Sequence, residues 1–536
     1  VIRGLGGDRV QVLQDGLAAL DISTLSQDHA VTLESVVSQQ IEIIKGPAAL
    51  LYGSGAAGGL VNIVSNRVPM QSADAPLTGA VEIRGDTAVE DRTGAFSLDG
   101  GTAAFAFHAD YFDRETDDVE IPGFAQSDAL RRALIDAGET PDDVRGHVPN
   151  SSGEARGGAL GASLIGDMAR GGVSWSRYET TYGIPGEEEA FIDMEQDRYD
   201  AKAELNFEGA VQTVRLQGSY NDYTHTEFEA PGVAGTVFDQ NAYELRFTAD
   251  HQLSEGWRGT VGVQYVDVDF EALGDEAFVP GSTTQTTSLF LFEERHFDRW
   301  TVELGARAEQ QQIDVDPAAA LPDFDETAVS LSAGTVWKFA TDHALAFNVT
   351  RTQRNPQAAE LYSDGPHIAA QRFERGDSSL GQETSVTADV SLRRAGPGVQ
   401  WTLNVYYNDY SDYIFASPTG AIEDELPVFA YLQDGATFHG FEAEVIFPLL
   451  DDDGQRLELR LASDYVRAEL DDGGHLPQIP PLRFGAGLHY ERDRWHLGAQ
   501  AFYYDEQDKL AVNELPTDSF ALVDVDASYR LPFSSA

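Results

Sequence analysis

The chain contains no cysteine among its 536 residues. This absence excludes disulfide frameworks, thiolate nucleophiles and cysteine-type zinc sites together. Basic residues are also few: 36 lysines and arginines stand against 89 aspartates and glutamates, a net charge of -53. Most of this charge is expected to form a solvated acidic exterior. Such a surface repels a phosphate backbone, so nucleic acid is not expected as a partner.

Long hydrophobic runs are missing as well. No segment approaches the roughly 18 consecutive apolar residues that a membrane-spanning helix requires. A transmembrane β-barrel stays compatible with the mean hydropathy of -0.30, because its strands alternate apolar and polar residues. Hydrophobic residues make up 42% of the chain, which excludes a disordered tail. No H-E-x-x-H or G-x-S-x-G motif is present, so the protein is not expected to be an enzyme.

From about Leu77 to the end, apolar and polar residues alternate in runs of strand length that are separated by turns or long polar loops. The clearest runs are 214–223, 401–407, 457–465 and 523–530. Period two places the apolar and the polar side chains on opposite faces of a sheet. Alternation alone fits both a soluble sandwich, whose apolar face meets a core, and a membrane barrel, whose apolar face meets lipid.

The number of runs and their connections favour the barrel. We count about twenty runs, whereas a typical sheet has roughly five or six strands. Short connections at 208–210 and 254–256 contrast with long ones at 116–152, 183–193 and 363–382, a pattern typical of outer-membrane barrels. Aromatic residues cluster at run ends, as interfacial girdles do: Trp175, Tyr178, Tyr406, Tyr407, Tyr410, Tyr413, Phe502, Tyr503 and Tyr504. We therefore predict an all-β membrane protein with one large antiparallel transmembrane β-barrel.

The first seventy residues have a different character, with short β-branched runs at 10–13 and 41–44 and many glycines. The run 53–58 matches the pattern G-x-G-x-x-G, but a dinucleotide-binding fold needs a helix directly after it. Here the β-branched segment 59–64 follows and predicts a strand. The glycines are better explained by a tight backbone path. We divide the chain into an N-terminal domain, 1–70, and a barrel, 71–536.

Three phrases of the N-terminal domain resemble the plug signature of TonB-dependent outer-membrane receptors: Ile2-Arg3-Gly4, Gln14-Asp15-Gly16 and the block from Ile41 to Gly59. The resemblance implies an N-terminal α/β plug inside a barrel of 22 strands. It also implies the outer membrane of a Gram-negative bacterium, with lipid and lipopolysaccharide around the barrel and the TonB–ExbB–ExbD complex as the energising partner. Compared with the family, the TonB-contacting segment and the first plug strands are expected to be missing. Residues 531–536 do not look like a terminal strand, so about 20 strands are expected.

Histidine is scarce, with twelve residues in the chain, so the position of each one is informative. Asp28-His29 lies in the plug, His225 lies where a barrel strand is expected to leave for an outer loop, and His367 lies in a long loop. Imidazole and carboxylate groups are suitable zinc ligands at about 2.0–2.2 Å. Each of these histidines alone also fits an exposed loop residue. The remaining histidines are expected to have no special role: His108, His147, His251, His296, His343, His439, His475, His489 and His496.

The surroundings of these histidines resemble most closely the zinc-uptake branch of the receptors. That resemblance implies an external zinc site formed by Asp28, His29, a carboxylate at Glu227 or Glu229, and His367, with His225 as a further candidate metal ligand. Zinc would be the transported ligand, and no prosthetic group is expected. One departure is the loop after 182–186, which carries glutamates where members of that branch often carry histidines.

Haem is the alternative cargo. His29 and His367 would supply its two ligands, with Arg354-Asn355-Pro356 before and Asp377-Ser378-Ser379-Leu380 after the second histidine. Siderophores or other metal chelates are further alternatives within the same fold. A passive porin or an adhesin is a more remote one, because a porin lumen would not need a plug.

Overall fold

The computed structural model describes residues 1–26, 28–55, 58–72, 75–187, 189–274, 277–452 and 454–530. Ala56 and Ala57 of the glycine-rich block and the expected chain end at 531–536 lie outside these residues.

The N-terminal domain contains a four-stranded sheet. Its strands are β1 (Val10–Gln14), β2 (Leu17–Ala18), β3 (Gln40–Ile44) and β4 (Gly59–Val64), in the order β2-β1-β4-β3. β1 pairs in parallel with β4, and the other two pairings are antiparallel. The runs predicted at 10–13, 41–44 and 59–64 thus form the three longer strands. The described helical part of this domain consists of short 3-10 helices: Gly7–Arg9, Ser35–Val37 and Pro47–Leu51.

The glycine-rich run brings two backbone segments of this domain close together. A Cβ atom on Gly55 would lie 2.6 Å from the carbonyl oxygen of Asp8. Gly59 has a φ of 116°, and a Cβ atom there would lie 2.9 Å from the carbonyl oxygen of Ile44. Only glycine fits such a conformation and such an approach without strain. The run is therefore a tight backbone path at the start of β4.

The rest of the chain is built almost entirely of long strands. In chain order the elements are β5 (Leu77–Gly85), β6 (Arg92–Thr102), β7 (Phe105–Thr116), β8 (Glu120–Phe124), α1 (Asp128–Ala137), β9 (Arg145–His147), β10 (Gly153–Leu164), β11 (Ala169–Gly183), β12 (Phe191–Asn206), β13 (Val211–Ala230), β14 (Val233–Ser254), β15 (Trp257–Gly274), β16 (Ser282–His296), β17 (Trp300–Val315), a 3-10 helix (Pro317–Ala319), β18 (Phe324–Ala340), β19 (His343–Arg354), α2 (Ala358–Tyr362), β20 (Asp364–His367), β21 (Arg372–Arg375), β22 (Glu383–Arg394), β23 (Gln400–Glu423), β24 (Leu426–Asp452), β25 (Gln455–Leu470), β26 (Arg483–Arg492), β27 (Trp495–Tyr504) and β28 (Phe520–Tyr529). Among the described residues, none of the helices combines the length and apolar surface that a membrane-spanning helix needs.

Twenty of the described strands form the barrel: β5–β7, β10–β19 and β22–β28. Each of them pairs antiparallel with the next one along the chain, and β19 pairs directly with β22. The short strands β20 and β21 form a hairpin in the connection between β19 and β22, and β21 lies parallel against β24. This arrangement confirms the predicted antiparallel barrel of about 20 strands. The predicted boundary after residue 70 falls in the connection between β4 and β5.

The barrel wall has its apolar face on the outside, whereas each sheet of a soluble sandwich has its apolar face on the inside. On β13, Leu216 is 52% exposed and Tyr220 is 42% exposed, whereas Ser219 is 5% exposed and Asn221 is fully buried. The apolar side chains therefore face outward and the polar side chains face the filled lumen, as in a membrane barrel. The choice that alternation alone left open is decided by this burial pattern.

A row of aromatic side chains crosses the outer wall near the middle of β11 to β14. Trp175, Tyr199, Tyr220 and Tyr243 are direct partners on four successive strands. Aromatic rings in such a row mark the boundary between the hydrocarbon and the aqueous phase. His225 lies five residues beyond Tyr220 on the same strand, so the candidate site lies on the loop side of this boundary.

The N-terminal domain is attached to the inside of the barrel by charged side chains. The Arg3 guanidinium lies 2.5 Å from Asp389 and 3.3 Å from Glu442. The Arg9 guanidinium donates to Glu383 at 3.2 Å. Because these partners belong to barrel strands, they fix the position of the plug, and hence of its loops, inside the barrel.

Candidate metal centre

The first part of the candidate site is the plug loop between β2 and β3, which carries Asp28 and His29. Its course is fixed by Asp21, whose carboxylate accepts hydrogen bonds from the Thr32 backbone and hydroxyl, both at 3.0 Å. The barrel holds the start of this loop, since Asn221 donates to the carbonyl oxygen of Ala19 at 2.6 Å. These contacts direct an irregular loop toward one side of the barrel wall.

His29 is completely buried at its side chain, and each of its ring nitrogens faces a hydrogen-bond acceptor. Its Nδ1 lies 3.2 Å from the carbonyl oxygen of Ile22, which can only accept a hydrogen bond. Nε2 lies 3.1 Å from Oε1 of Glu227 and 3.6 Å from Oδ2 of Asp28. A cation bound at Nε2 would leave the ring proton on Nδ1, where the Ile22 carbonyl oxygen can accept it.

The second part of the site is the inner face of β13. His225 and Glu227 are two residues apart, so both point into the lumen, and Nε2 of His225 lies 3.4 Å from Oε1 of Glu227. The other ring nitrogen of His225 lies 2.9 Å from the Tyr223 hydroxyl, which can accept its proton. The strand continues to Ala230, so His225 lies within a strand; the expectation that it lies at a strand exit was wrong. Paired strands that extend beyond the aromatic row account for this difference.

The third part of the site is the hairpin β20–β21 inside the long loop. His367 stacks on Phe278 with ring centroids 4.5 Å apart, and its Nδ1 donates to Oε1 of Glu374 at 2.8 Å. Its Nε2 lies 3.6 Å from Oδ1 of Asp28. Within the described part of the chain, this Nε2 and Oδ2 of Asp28 are buried and have no hydrogen-bond partner. Buried polar atoms without partners are uncommon in folded proteins and require an explanation.

The plug loop and β13 together bring three donor atoms to the spacing of a metal site. Ligand atoms of His29, His225 and Glu227 all lie within 4.8 Å of one another. For zinc bonds of about 2.0–2.2 Å in a tetrahedron, neighbouring ligand atoms are about 3.4 Å apart. The distances from Glu227 Oε1 to the two imidazoles are 3.1 and 3.4 Å, which is close to this value. Asp28 and His367 border the same space.

Glu229, the other carboxylate that the sequence left open, lies outside this group of donors in the described structure. It lines a cavity of about 530 Å³ together with Glu187, Glu227 and Asp424. Glu227 is therefore shared by the donor cluster and the cavity. The geometry favours Glu227 as the ligand and gives Glu229 a place on the approach to the site.

One imidazole next to the candidate ligands is held in its protonated form by neighbouring carboxylates. Burial lowers the pKa of His367, but the carboxylates of Asp28 and Glu374 outweigh it and raise this pKa to about 9. Burial raises the pKa of Glu374, but His367 and Arg372 outweigh it and hold the pKa at about 2. For Asp28, too, burial is outweighed by the two imidazoles and by Ser26, which keep its pKa well below the usual range. At neutral pH without a metal, both carboxylates are ionised and His367 carries a proton.

Sequence reasoning missed two groups that support the candidate ligands. Tyr223 lies two residues before His225 on the same face, so strand periodicity could have identified it. Glu374 comes seven residues after His367 and meets it only because the hairpin pairs His367 with Arg372. No local pattern in the sequence predicts that pairing.

Comparison with known proteins identifies the family. A model described as "TonB dependent receptor-like, beta-barrel" matches residues 134–535, and one described as "TonB-dependent Receptor Plug Domain" matches residues 1–60. The chain belongs to the TonB-dependent receptor family. It is accordingly a plug-and-barrel receptor of the outer membrane of a Gram-negative bacterium.

Relatives of this receptor cover nearly the whole chain. The iron-regulated outer membrane virulence protein of Vibrio cholerae serotype O1 (El Tor Inaba N16961) is 22% identical over 99% of this chain and 80% of its own length. The vitamin B12 transporter BtuB of Vibrio vulnificus is 20% identical over 99% of this chain and 78% of its own length. These relatives are receptors and transporters rather than enzymes.

Solved structures show the same fold. The copper transporter OprC superposes with a TM-score of 0.81 at 16% identity, covering 99% of this chain and 84% of that one. The siderophore receptor PirA of Pseudomonas aeruginosa gives a TM-score of 0.72 at 18% identity, covering 100% of this chain and 87% of that one.

Proposed function

We propose that this TonB-dependent receptor imports zinc into the periplasm as a bare ion. His29, His225 and Glu227 would bind the ion, with Asp28 and His367 completing its surroundings. The observation that carries the proposal is the set of buried donor atoms at the edge length of a zinc tetrahedron. The unpartnered Oδ2 of Asp28 and Nε2 of His367 support it, because a cation between them would satisfy both.

The hydrogen bonds behind the imidazoles support the same proposal. With a cation on its Nε2, His29 would donate from Nδ1 to the Ile22 carbonyl oxygen 3.2 Å away, and Nδ1 of His367 donates to Glu374. Metal-binding histidines commonly donate their second ring N–H to a carbonyl or carboxylate, which fixes the tautomer and the ring orientation. Both Nε2 atoms are thereby directed toward the space that the cation would occupy.

The cavity next to the site fits a small cation better than a large chelate. It has a volume of about 530 Å³, and its lining combines apolar side chains with the four carboxylates of Glu187, Glu227, Glu229 and Asp424. A cation with six waters needs roughly 180 Å³, at about 30 Å³ per water. Four carboxylates attract such a cation and repel an anionic metal chelate.

Haem fits the site less well. A porphyrin bound between His29 and His367 would need a flat apolar slot between their rings. The Asp28 carboxylate lies in this space: its Oδ2 is 3.6 Å from Nε2 of His29, and its Oδ1 is 3.6 Å from Nε2 of His367. An ionised carboxylate in that position favours a bare cation.

The ligands come from separately anchored parts of the molecule. Asp28 and His29 belong to the plug, His225 and Glu227 to the barrel wall, and His367 to the hairpin. A cation at this site would join the three parts, and movement of the plug would separate its donors. This arrangement suits a receptor that must bind its cargo from outside and later release it inward.

The test is a calorimetric zinc titration of the receptor in detergent, beside His29→Ala and the control His296→Ala. We expect about one zinc per chain in the receptor and the control, and at least a 100-fold loss of affinity in His29→Ala. Copper(II) and haem are titrated in parallel, since imidazoles also suit copper. Absence of zinc binding would overturn the zinc proposal, and a haem absorption band that disappears in His29→Ala would replace it with haem.

A further inference from the structure

One tyrosine of the barrel holds the plug loop directly at its two candidate ligands. Tyr182 lies at the end of β11, and its hydroxyl accepts a hydrogen bond from the Ala30 backbone N–H at 2.9 Å. The same hydroxyl donates to the backbone carbonyl oxygen of Asp28 at 2.9 Å. These two peptide groups flank His29. A single side chain therefore fixes the backbone on both sides of that histidine.

Other polar contacts from the barrel hold the two ends of this loop. Amide side chains of the barrel donate to the carbonyl oxygens of Ala19 and Leu20, well before the ligands, and Arg114 lies 3.0 Å from Glu34, after them. Tyr182 holds the part of the loop where the donors are. Because the loop has no regular secondary structure there, the directions of the donor side chains depend on such contacts.

We propose that Tyr182 is a positioning residue of the metal site. It holds Asp28 and His29 of the plug against His225 and Glu227 of the barrel. The proposal rests on the proposed function, since it assigns how that site is assembled. It follows that the donor set is complete only while the plug loop lies against the end of β11. A plug movement that breaks the two Tyr182 hydrogen bonds moves two donors away from the other three and weakens the hold on the cation.

The test substitution is Tyr182→Phe, which removes only the hydroxyl group and its two hydrogen bonds and leaves the ring in place. The ring packs against the apolar cluster around the site, which includes Ile184 and Ile192. Tyr178→Phe is the matched control. Tyr178 is a buried tyrosine on the same strand and face, its ring contacts Phe112, and it belongs to the same apolar cluster as Tyr182.

The experiment measures zinc affinity, the visible spectrum of bound cobalt(II) and thermal unfolding for the full chain in detergent. We expect Tyr182→Phe to bind zinc about 10- to 100-fold more weakly, the range found for groups that orient metal ligands. We also expect its cobalt spectrum at saturation to shift toward that of His29→Ala. Tyr178→Phe should match the unsubstituted receptor in both measurements. Unchanged affinity in Tyr182→Phe, or an unshifted cobalt spectrum at saturation, would overturn the proposal even if the variant melts earlier.

A double-mutant cycle separates positioning from a general structural role. In a background that already carries Asp28→Asn and His29→Ala, Tyr182→Phe should change the residual zinc affinity less than about threefold, because the residues it positions are gone. An effect as large as in the intact site would show that Tyr182 acts by another route and would overturn the proposal. Absence of zinc binding in the unsubstituted receptor is a separate result, which contradicts the proposed function.

Discussion

The site has a strand half, His225 and Glu227, and a loop half, Asp28 and His29. Each half provides one imidazole and one carboxylate, but the first lies on a regular strand and the second on an irregular loop. His225 and Glu227 share a face because a strand places every second side chain on one side, and their neighbours in β12 and β14 hold that strand. Asp28 and His29 lie in an irregular loop whose shape depends on Asp21 and on barrel side chains. Local geometry thus sets one half, and contacts between distant parts of the chain set the other. The strand half should tolerate changes around it, whereas the loop half should not.

The largest effect is expected at the residue that joins the two halves. Oε1 of Glu227 faces both His29 and His225, so Glu227→Gln should lower zinc affinity at least about 100-fold in a calorimetric titration. Glu229→Gln is the matched control, two residues further along the same strand, and should stay within about threefold of the unsubstituted receptor. The reverse ranking would assign the carboxylate ligand to Glu229.

The next effect concerns the hairpin, which like the plug loop depends on distant contacts. Glu374 accepts hydrogen bonds from His367, from Arg372 and from the Tyr431 hydroxyl at 2.9 Å. Glu374→Gln should weaken zinc binding about 10- to 100-fold, because the amide no longer fixes the imidazole tautomer. Glu423→Gln, which removes an exposed partner of Arg375, should leave the affinity unchanged. Equal affinity in the two variants would show that the Glu374 carboxylate does not support the metal site.

A smaller effect is expected from pH. The pKa of His367 is raised to about 9 without a metal, so a cation that binds its Nε2 must displace a proton below that pH. Zinc affinity should therefore rise by up to about tenfold per pH unit between pH 7 and 9 and level off above pH 9. Titrations at several pH values in the receptor and in His367→Ala measure this slope. The variant should lose the contribution of one proton, and an unchanged slope would exclude His367 from the site.

The smallest effect should come from Glu187, a carboxylate of the cavity that belongs to neither half of the site. Glu187 accepts a hydrogen bond from Gln371 at 3.2 Å and lines the cavity. Glu187→Gln should slow zinc association about two- to threefold and change the affinity little, since charges at a rim act mainly on association. Stopped-flow mixing at low and high salt measures this rate. A difference that persists undiminished at high salt would contradict electrostatic steering.

Much of the barrel follows from the sequence because its period is local. Alternation predicted strands at 214–223, 401–407, 457–465 and 523–530. The first three runs lie within barrel strands, and the fourth extends one residue past the end of β28. The direction of the apolar face needed the tertiary structure, because lipid and a protein core present the same apolar contact to a strand. The exposed Leu216 beside the buried Asn221 decided it.

The candidate site, like the barrel, has one part that local spacing predicts and another that only the tertiary structure reveals. His225 and Glu227 could be placed on one face from their spacing alone. The meeting of His29 with Glu227 spans 198 residues along the chain, and no local rule predicts it. The resemblance to zinc-uptake receptors supplied those residues in advance, and the zinc assignment itself stays a prediction.

By itself, the sequence determined the repeated alternation of the barrel, the tight glycine path of the plug and the absence of thiol ligands. The tertiary structure alone decided which face meets lipid and that Glu227 rather than Glu229 faces both imidazoles. It also revealed Glu374 and Tyr182 behind the candidate ligands. The physical reason is range: strand period and glycine conformation act over a few residues, whereas a metal site requires donors to converge within a few ångströms from segments far apart in the chain.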